Sequence, residues 1–173
     1  MKLLVWHCSH LSYRDRRPSN RPAGVGQLVA DAVEESFVDV LVAFVCVEEG
    51  DTGEQTDGAV GEILKLSDQM KRREVVLVPF AHLSSCLMTD SATAQELLRG
   101  ISSGLDGAGI TTALTSFGYH KDFELHFAAK GHAAAVAFRD IPASPRASEP
   151  GSLPSTRSGP KAPGIPPPEL PAA

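Results

Sequence analysis

The sequence of 173 residues is poor in cysteine and has no long apolar run. Its three cysteines, Cys8, Cys46 and Cys86, lack CxxC spacing, which argues against a disulfide framework and favours a cytoplasmic protein. No stretch reaches the ~18 consecutive apolar residues that a membrane-spanning helix needs. The apolar segment at residues 1–6 is too short for the core of a signal peptide. We therefore expect a cytoplasmic protein without a membrane segment.

The sequence also lacks the short motifs that identify common catalytic sites. None of the six histidines stands in an HExxH pattern or beside paired cysteines. The GxSxG elbow of serine hydrolases is absent. The glycines at 100, 104, 107 and 109 lie within or after a predicted helix, whereas a phosphate-binding loop precedes one. We therefore predict neither a metal nor a cofactor, with a zinc site assembled from distant strands as the less favoured alternative.

Charge and proline content divide the chain into two parts. Most of the 13 prolines lie between residues 141 and 173, and this stretch has too little apolar surface to offset its ordering entropy. We predict one domain at residues 1–140 and a disordered proline-rich tail at 141–173. The net charge of −5 argues against nonspecific RNA binding. The arginines at 14, 16, 17 and 21 form either a local RNA-binding patch or a solvated loop.

The apolar pattern predicts alternating strands and helices. Strands are expected at residues 2–6, 37–47 and 74–80, and later at 111–117, 122–128 and 133–139. Helices are expected at 56–73 and 90–105, with Asp90 or Ser91 as the cap of the second. Residues 12–36 are ambiguous, and 27–36 fit a helix. The fold class is therefore α/β, a mixed sheet with two main helices, in which Lys130-Gly131 forms the turn of a final antiparallel hairpin.

Two segments end an apolar strand in small and polar residues. Residues 75–85 read VVLVPFAHLSS, and residues 117–121 read FGYHK. Lys121 offers an ammonium group for an oxyanion or a water, and His82 offers hydrogen bonds near neutral pH. Gly118 permits a ligand to approach the backbone closely. Taken alone, Lys121 fits a surface lysine and His82 fits a structural histidine.

Together these segments resemble the editing domain of archaeal-type threonyl-tRNA synthetases. The PFAHLSS and FGxxK-like motifs, with a KGH motif at 130–132, recur in order over residues 1–141. The resemblance implies a D-aminoacyl-tRNA deacylase-like fold, a homodimer, and hydrolysis of serine wrongly esterified to tRNA(Thr). It implies Lys121 and His82 as catalytic residues. It also implies a substrate pocket lined by Ala43, Phe44, Val45, Ala81, Phe117, Gly118, Tyr119 and His120.

The resemblance also implies a mechanism and partners. Lys121 would position water, and the 2′-hydroxyl of the substrate ribose would assist, so that no protein nucleophile is needed. The expected partners are the acceptor end of tRNA(Thr) and a separate threonyl-tRNA synthetase, because no aminoacylation domain accompanies this free-standing editor. Two departures stand out: His120 replaces a tyrosine, and Val136 replaces a glutamate. The alternatives are a D-aminoacyl-tRNA deacylase and a non-catalytic module that binds tRNA or synthetase.

Overall fold

The computed structural model describes residues 1–19, 33–128 and 136–142. The strands are β1 (Lys2–Pro18), β2 (Glu34–Cys46), β3 (Glu74–Pro79), β4 (Thr111–Leu114), β5 (Tyr119–Phe127) and β6 (Val136–Asp140). The helices are α1 (Gly53–Met70) and α2 (Ser91–Gly107), and a 3-10 turn spans Ala81–Leu83. Neither helix in these ranges has the length and apolar character required to cross a membrane. Of the tail predicted at residues 141–173, positions 141 and 142 are described, and the rest lies outside the described residues.

The six described strands form one mixed sheet, as the sequence predicts. The order is β4-β3-β2-β1-β5, and β6 also pairs with β1. The strands β2, β3 and β4 run parallel, and the crossovers between them carry α1 and α2. The strand β1 is antiparallel to each of its partners. Parallel pairing places the carboxyl ends of β2 and β3 at the same edge of the sheet.

The predicted final hairpin is wrong. Both β5 and β6 pair antiparallel with β1, β5 along Cys8–Pro18 and β6 along Lys2–Trp6. They therefore follow one another in the same direction along a single edge, whereas the strands of a hairpin run in opposite directions. The reason is the length of β1, which has 17 residues rather than the five predicted. The turn residues Lys130 and Gly131 themselves lie outside the described residues.

An irregularity in the two central strands explains why the sequence hid the length of β1. The ladder between β1 and β2 keeps its register but lacks the Ser9–Asp39 pair. The ladder between β1 and β5 shifts by one residue between Cys8 and His10, which makes Ser9 a bulge in β1. Before the bulge, Leu3 and Val5 face the helices, whereas Leu11 packs on the opposite side of the sheet. Asp39 has a φ of 59°. Such a bulge bends a strand and reverses the alternation of its faces.

The bend extends strand structure into residues that were ambiguous in the sequence. Residues 12–18 belong to β1, and residues 34–36 belong to β2. The helix that the sequence allowed at 27–36 is therefore wrong for its last three positions. Position 33 lies outside the regular elements, and the earlier positions of that helix lie outside the described part.

The sheet curls until its two ends meet. Ser116 follows β4 at one end of the strand order, yet its hydroxyl donates to the carboxylate of Asp15 in β1 at 2.7 Å. The ring of Phe123 in β5 lies 5.9 Å from that of Phe44 in β2. These contacts place the first half of β5 over the face of the sheet that the helices do not cover.

Capping sets the helix boundaries. Thr52 and Gln55 form a capping box at the start of α1, so the helix begins three residues before the predicted position. It ends at Met70 because Lys71 takes a left-handed conformation with a φ of 53°. Asp90 caps α2 as predicted, since its carboxylate accepts a hydrogen bond from Ala92 N at 3.0 Å.

Apolar side chains fill both faces of the sheet. The helix-covered core contains Ala43 with the largest buried side chains of both helices, among them Ile63, Leu98 and Ile101. The second core lies on the opposite face and contains Val42, Phe44, Val76 and Val78. Successive residues of β2 therefore supply the two cores, as a strand buried on both faces must.

Candidate functional site

A cleft of about 740 Å³ opens where the ends of β2 and β3 meet the beginning of β5. This volume falls within the range of about 300–1,000 Å³ that is usual for small-molecule sites. The parallel pairing of β2 and β3 forms one wall, and the curl of the sheet brings β5 opposite to it. Its lining includes Ser19, Val45, Cys46, Val47, Pro79, Phe80, Ala81, His82, Ser84, Leu87, Met88, Ala94, Leu98, Phe117, Gly118, Tyr119, His120, Lys121 and Phe123.

The cleft brings together eight of the ten residues predicted for the site. His82 and Lys121, which lie about forty positions apart in the sequence, line the same cavity. Ala81, Val45, Phe117, Gly118, Tyr119 and His120 are the other six. Ala43 and Phe44 do not line it. Ala43 is fully buried under the helices, and Phe44 packs edge-on against Phe80 with ring centroids 5.0 Å apart.

Lys121 lies in the wall of the cleft with its ammonium group largely withdrawn from solvent. Its side chain is 4% exposed. The ammonium donates hydrogen bonds to the carbonyl oxygens of Ser116 and, at 3.4 Å, Tyr119. It also lies 3.6 Å from the carboxylate of Asp15. Burial lowers the pKa of Lys121, and the charge of Asp15 opposes that shift.

Asp15 is the site residue that the sequence did not reveal. Its carboxylate is fully buried and accepts hydrogen bonds from the Ser116 hydroxyl and, at 3.0 Å, from Val33 N. In the sequence Asp15 stands among arginines and reads as part of a solvated loop. The regular strand that would have marked it as buried is concealed by the bulge at Ser9.

His82 projects from the 3-10 turn that follows β3. The turn is joined to β2 by a hydrogen bond from Phe80 N to Val45 O at 2.8 Å. The imidazole packs edge-on against Phe80, with ring centroids 5.2 Å apart, and the residue is exposed. This placement leaves the ring nitrogens accessible from the cleft, where they are able to bind a polar group of a ligand.

Gly118 shapes the opposite rim. Its φ of 79° is a conformation that favours glycine, and its carbonyl accepts a hydrogen bond from Ser19 N at 2.6 Å. This turn carries Tyr119 and His120 into β5, where His120 is the backbone partner of Arg17. The rim of the cleft therefore combines one tight turn with two aromatic, hydrogen-bonding side chains.

The floor of the cleft is apolar. Leu87 and Met88 come from the loop before α2, and Ala94 and Leu98 come from α2 itself. The loop is tied to the residue that follows β2, because Met88 N donates to Val47 O at 3.1 Å. This floor was not predictable from the sequence, because Leu98 reads as an ordinary member of a helix stripe.

The two departures from the resembled family occupy different places. His120 lines the cleft. Val136 begins β6, opposite Trp6, and is about half exposed outside the cleft lining. A carboxylate expected near the KGH motif is therefore not supplied by the residue that aligns with it. The motif itself lies outside the described residues.

The remaining charged and metal-ligating candidates are distributed as follows. Arg14 forms a two-pronged ion pair with Glu34, and Arg16 pairs with Asp122. Arg17 is exposed, and Arg21 lies outside the described residues. Within residues 1–19, 33–128 and 136–142, the histidines, cysteines and carboxylates form no group of three that suits a metal ion. Two of the four arginines are therefore already neutralised by carboxylates.

Comparison with known proteins gives a consistent result. Residues 1–141 match the archaea-specific editing domain of threonyl-tRNA synthetase. The threonine–tRNA ligase of Pyrococcus horikoshii is 35% identical over 146 residues, which cover 82% of this chain and 22% of the ligase. That of Methanobrevibacter smithii is 31% identical over 147 residues, covering 83% of this chain and 23% of the ligase. The chain thus spans less than a quarter of the length of these relatives.

One solved structure supports the fold. The c-Myc DNA unwinding element binding protein superposes with a TM-score of 0.58 at 12% identity, over 83% of this chain and all of that chain. At this identity the likeness concerns the fold alone. The predicted D-aminoacyl-tRNA deacylase-like architecture is confirmed.

Proposed function

The chain belongs to the family of archaea-specific editing domains of threonyl-tRNA synthetase, and we propose that it hydrolyses the ester of seryl-tRNA(Thr). The observation that carries the proposal is the convergence of His82 and Lys121 on one cleft. Threonyl-tRNA synthetase is then the source of the substrate, and the acceptor end of tRNA(Thr) is the ligand. No cofactor takes part in the proposed reaction.

Lys121 is the centre of the proposed mechanism. An aminoacyl ester is already activated, so the protein needs to place a water and to stabilise the negative charge that develops on the carbonyl oxygen. The ammonium of Lys121 supplies that charge stabilisation from a fixed position in the cleft wall. The 2′-hydroxyl of the terminal ribose assists the water, so that no nucleophilic side chain is required.

His82 holds the other end of the ester. Its exposed imidazole lines the cleft from the turn after β3, and we assign it to a hydroxyl of the terminal ribose. The backbone from Val45 onward contacts the amino acid, because Val45 begins the part of β2 that lines the cavity. The predicted contributions of Ala43 and Phe44 are then indirect, through the backbone of β2 and the packing of Phe80.

A separate pocket that selects serine is needed because the aminoacylation site of a threonyl-tRNA synthetase cannot strongly reject serine. A pocket made for threonine discriminates against serine by only about 1–3 kcal/mol, because the two differ by one methyl group. A second pocket that excludes the methyl by steric clash supplies the missing factor. Phe117 and Tyr119, which line the cleft, are the walls that we assign to this exclusion.

The test is a deacylation assay with one tRNA carrying serine, threonine or a D-amino acid. We expect the full chain to hydrolyse seryl-tRNA(Thr) much faster than threonyl-tRNA(Thr). Lys121→Ala is expected to lower that rate at least about tenfold, the scale of a lost charge-stabilising group. His82→Ala, at an exposed position, serves as a second variant without a folding cost, and Lys65→Ala on the surface of α1 is the matched control.

Each other outcome identifies an alternative. Equal rates on serine and threonine esters would remove the editing proposal. Preference for D-aminoacyl esters would instead indicate a D-aminoacyl-tRNA deacylase. Binding of tRNA without hydrolysis would indicate a non-catalytic module, the alternative that the position of Val136 outside the cleft favours.

A homodimer is the assembly that we propose for this chain. Phe127, Val136 and Phe138 are each about half exposed, and they lie on the two strands that share one edge of β1. Exposed apolar clusters of this kind mark interaction sites. Light scattering of the full chain is expected to give twice the monomer mass, and Phe138→Asp is expected to give monomers. A monomeric mass for the unaltered chain would contradict the assignment.

A further inference from the structure

The buried carboxylate of Asp15 has no part in the mechanism described so far. It belongs to β1, yet its partners among the described residues come from outside that strand. The Ser116 hydroxyl and Val33 N donate to it, and the Lys121 ammonium lies 3.6 Å away. Burial of a charge is costly unless the charge is paired and hydrogen-bonded. The surrounding structure therefore provides for an ionised carboxylate here.

Strand pairing fixes the position of Asp15 relative to Lys121. The two residues are direct partners in the antiparallel ladder between β1 and β5. Side chains of such partners lie about 5 Å apart at their Cβ atoms. A register shift follows immediately, between Asp15 and Arg17. The ion pair therefore stands at the last regular step of the ladder before the rim of the cleft.

Ser116 joins both members of the pair. Its hydroxyl donates to Asp15, and its carbonyl oxygen accepts from the Lys121 ammonium. The side chains of Asp15 and Lys121 are respectively 0% and 4% exposed. The pair is consequently held by one residue of the segment that leads from β4 to the Gly118 turn.

Electrostatics distinguish Asp15 from the other groups near Lys121. His82, Tyr119, His120 and Cys46 line the same cleft, and Asp122 and Arg16 pair with each other on the exposed surface. Among the described residues, Asp15 is the one charged side chain that acts on the pKa of Lys121. Burial lowers that pKa, and Asp15 raises it. Loss of the carboxylate would leave only the lowering effect.

We propose that Asp15 is a positioning residue that holds Lys121 as a fixed, charged ammonium in the wall of the cleft. This inference rests on the proposed function, because it assigns the cause of the state in which Lys121 acts. Asp15 itself is not among the residues that line the cleft. Its effect on the reaction passes entirely through the lysine.

The direct test is the titration of Lys121 by NMR in the full chain. The sequence has six lysines, so the 13Cε signals of labelled lysine are few, and Lys121→Arg identifies the one of interest. Asp15→Asn keeps the acceptor for Ser116 and removes the charge. We expect the titration midpoint of Lys121 to fall by about one pH unit or more. Asp122→Asn, which removes an exposed carboxylate from the neighbouring position, is expected to leave it unchanged.

The kinetic test uses the pH profile of kcat/KM on seryl-tRNA(Thr), corrected for spontaneous hydrolysis. A lysine that loses its proton earlier moves the alkaline limb of the profile to lower pH. We expect Asp15→Asn to show that displacement, with a loss of activity that grows as pH rises. A merely structural role would lower the rate by the same factor at every pH.

The outcomes separate this inference from the proposed function. An unchanged Lys121 titration in folded Asp15→Asn overturns the inference whatever the activity. A shifted titration with an undisplaced pH profile also overturns it, because the lysine would then not act through its charge. Full activity of Lys121→Ala would instead remove the proposed mechanism. If Asp15→Asn does not fold, Asp15→Ser, which leaves room for a water between Ser116 and Lys121, is measured in its place under the same criteria.

Discussion

The imidazole Nε2 of His7 lies 2.8 Å from the Oδ1 of Asp39, where both central strands lose their alternation. Arg72, just beyond α1, donates to the same carboxylate oxygen at 2.9 Å. A helix end and two strands are thereby joined at the bend that makes the sheet curl. The curl in turn brings β5 over the sheet, so this polar cluster supports the cleft from a distance.

The backbone of Asp39 gives the first prediction. Its φ of 59° is a conformation that costs a residue with a Cβ about 1–2 kcal/mol, and that glycine adopts freely. Asp39→Gly and Asp39→Ala both lose the carboxylate, so their difference isolates the backbone. We expect the glycine variant to be the more stable by about 1 kcal/mol in urea denaturation. A more stable alanine variant would show that the bend is not held at this residue.

The charge of Asp39 gives the second prediction. The hydrogen bond from His7 and the charge of Arg72 lower the pKa of Asp39 below its ordinary value. A carboxylate with a lowered pKa contributes stability above its unfolded pKa, and this contribution is lost as pH falls through the folded pKa. The unaltered chain should therefore exceed Asp39→Asn in stability at pH 7, with the difference shrinking as pH falls below the ordinary pKa of an aspartate. Urea midpoints across this range provide the measurement.

A control for Asp39→Asn must show whether the loss of any surface carboxylate changes stability in the same way. Asp57 is exposed on the surface of α1, and Asp57→Asn removes the same charge there. We expect its urea midpoint to stay close to that of the unaltered chain at every pH. A pH-independent deficit in Asp39→Asn would mean that its hydrogen bonds matter rather than its charge.

The regular elements of this fold were accessible from the sequence because their patterns are local. The stripes of α1 and α2 repeat at helical spacing, and the apolar run of β2 marks a strand buried on both faces. The second half of β1 was not accessible, since the bulge at Ser9 reverses its pattern and its charged residues resemble a loop. Because the sequence pattern did not reveal the full length of β1, the last two strands were wrongly predicted to form a hairpin.

Close helix packing gives the third prediction. A Cβ on Gly104 of α2 would lie 2.8 Å from Cγ2 of Val60 in α1, whereas a Cβ on Gly61 would meet nothing within 4 Å. Alanine in a helix is favoured over glycine by about 0.5–1 kcal/mol. We therefore expect Gly61→Ala to raise the free energy of unfolding by that amount.

The same substitution in α2 should have the opposite effect. The β-branched side chain of Val60 has little freedom to move aside, and overpacking costs about 1–3 kcal/mol. Gly104→Ala is therefore expected to lower stability, and Val60→Ala in that background is expected to restore part of it. A stabilising Gly104→Ala would show that the helices separate easily, which would contradict the close approach at this position.

Thiol reactivity gives the fourth prediction. Cys86 is exposed, whereas Cys8 and Cys46 are buried. Burial raises the pKa of Cys8 to about 11 and also raises that of Cys46, and the thiolate is the reactive form. At pH 8, iodoacetamide should therefore modify Cys86 first, with all three thiols reacting in urea. Peptide mass spectrometry measures the order. Modification of Cys46 as fast as Cys86 would indicate that this wall of the cleft is open.

The candidate site was predictable to the extent that it lies in two short segments. Residues at strand ends carry polar side chains in a recognisable order, so His82 and Lys121 could be selected together. The apolar floor and the buried Asp15 depend on how distant elements pack, and no local pattern reports that. The role of Phe44 was misplaced for a related reason, since neighbouring positions of β2 face opposite cores.

The rim of the cleft gives the last prediction. His120 lines the cleft, is exposed, and stands where the resembled family has a tyrosine. A tyrosine there would extend a hydroxyl donor over the cavity without burying any new surface, so folding should be unaffected. We expect His120→Tyr to preserve or raise kcat/KM on seryl-tRNA(Thr). His126→Tyr, on the exposed surface of the same strand outside the cleft lining, is the control and should change nothing. A loss of tenfold or more in His120→Tyr alone would mean that the imidazole has a role of its own in this chain.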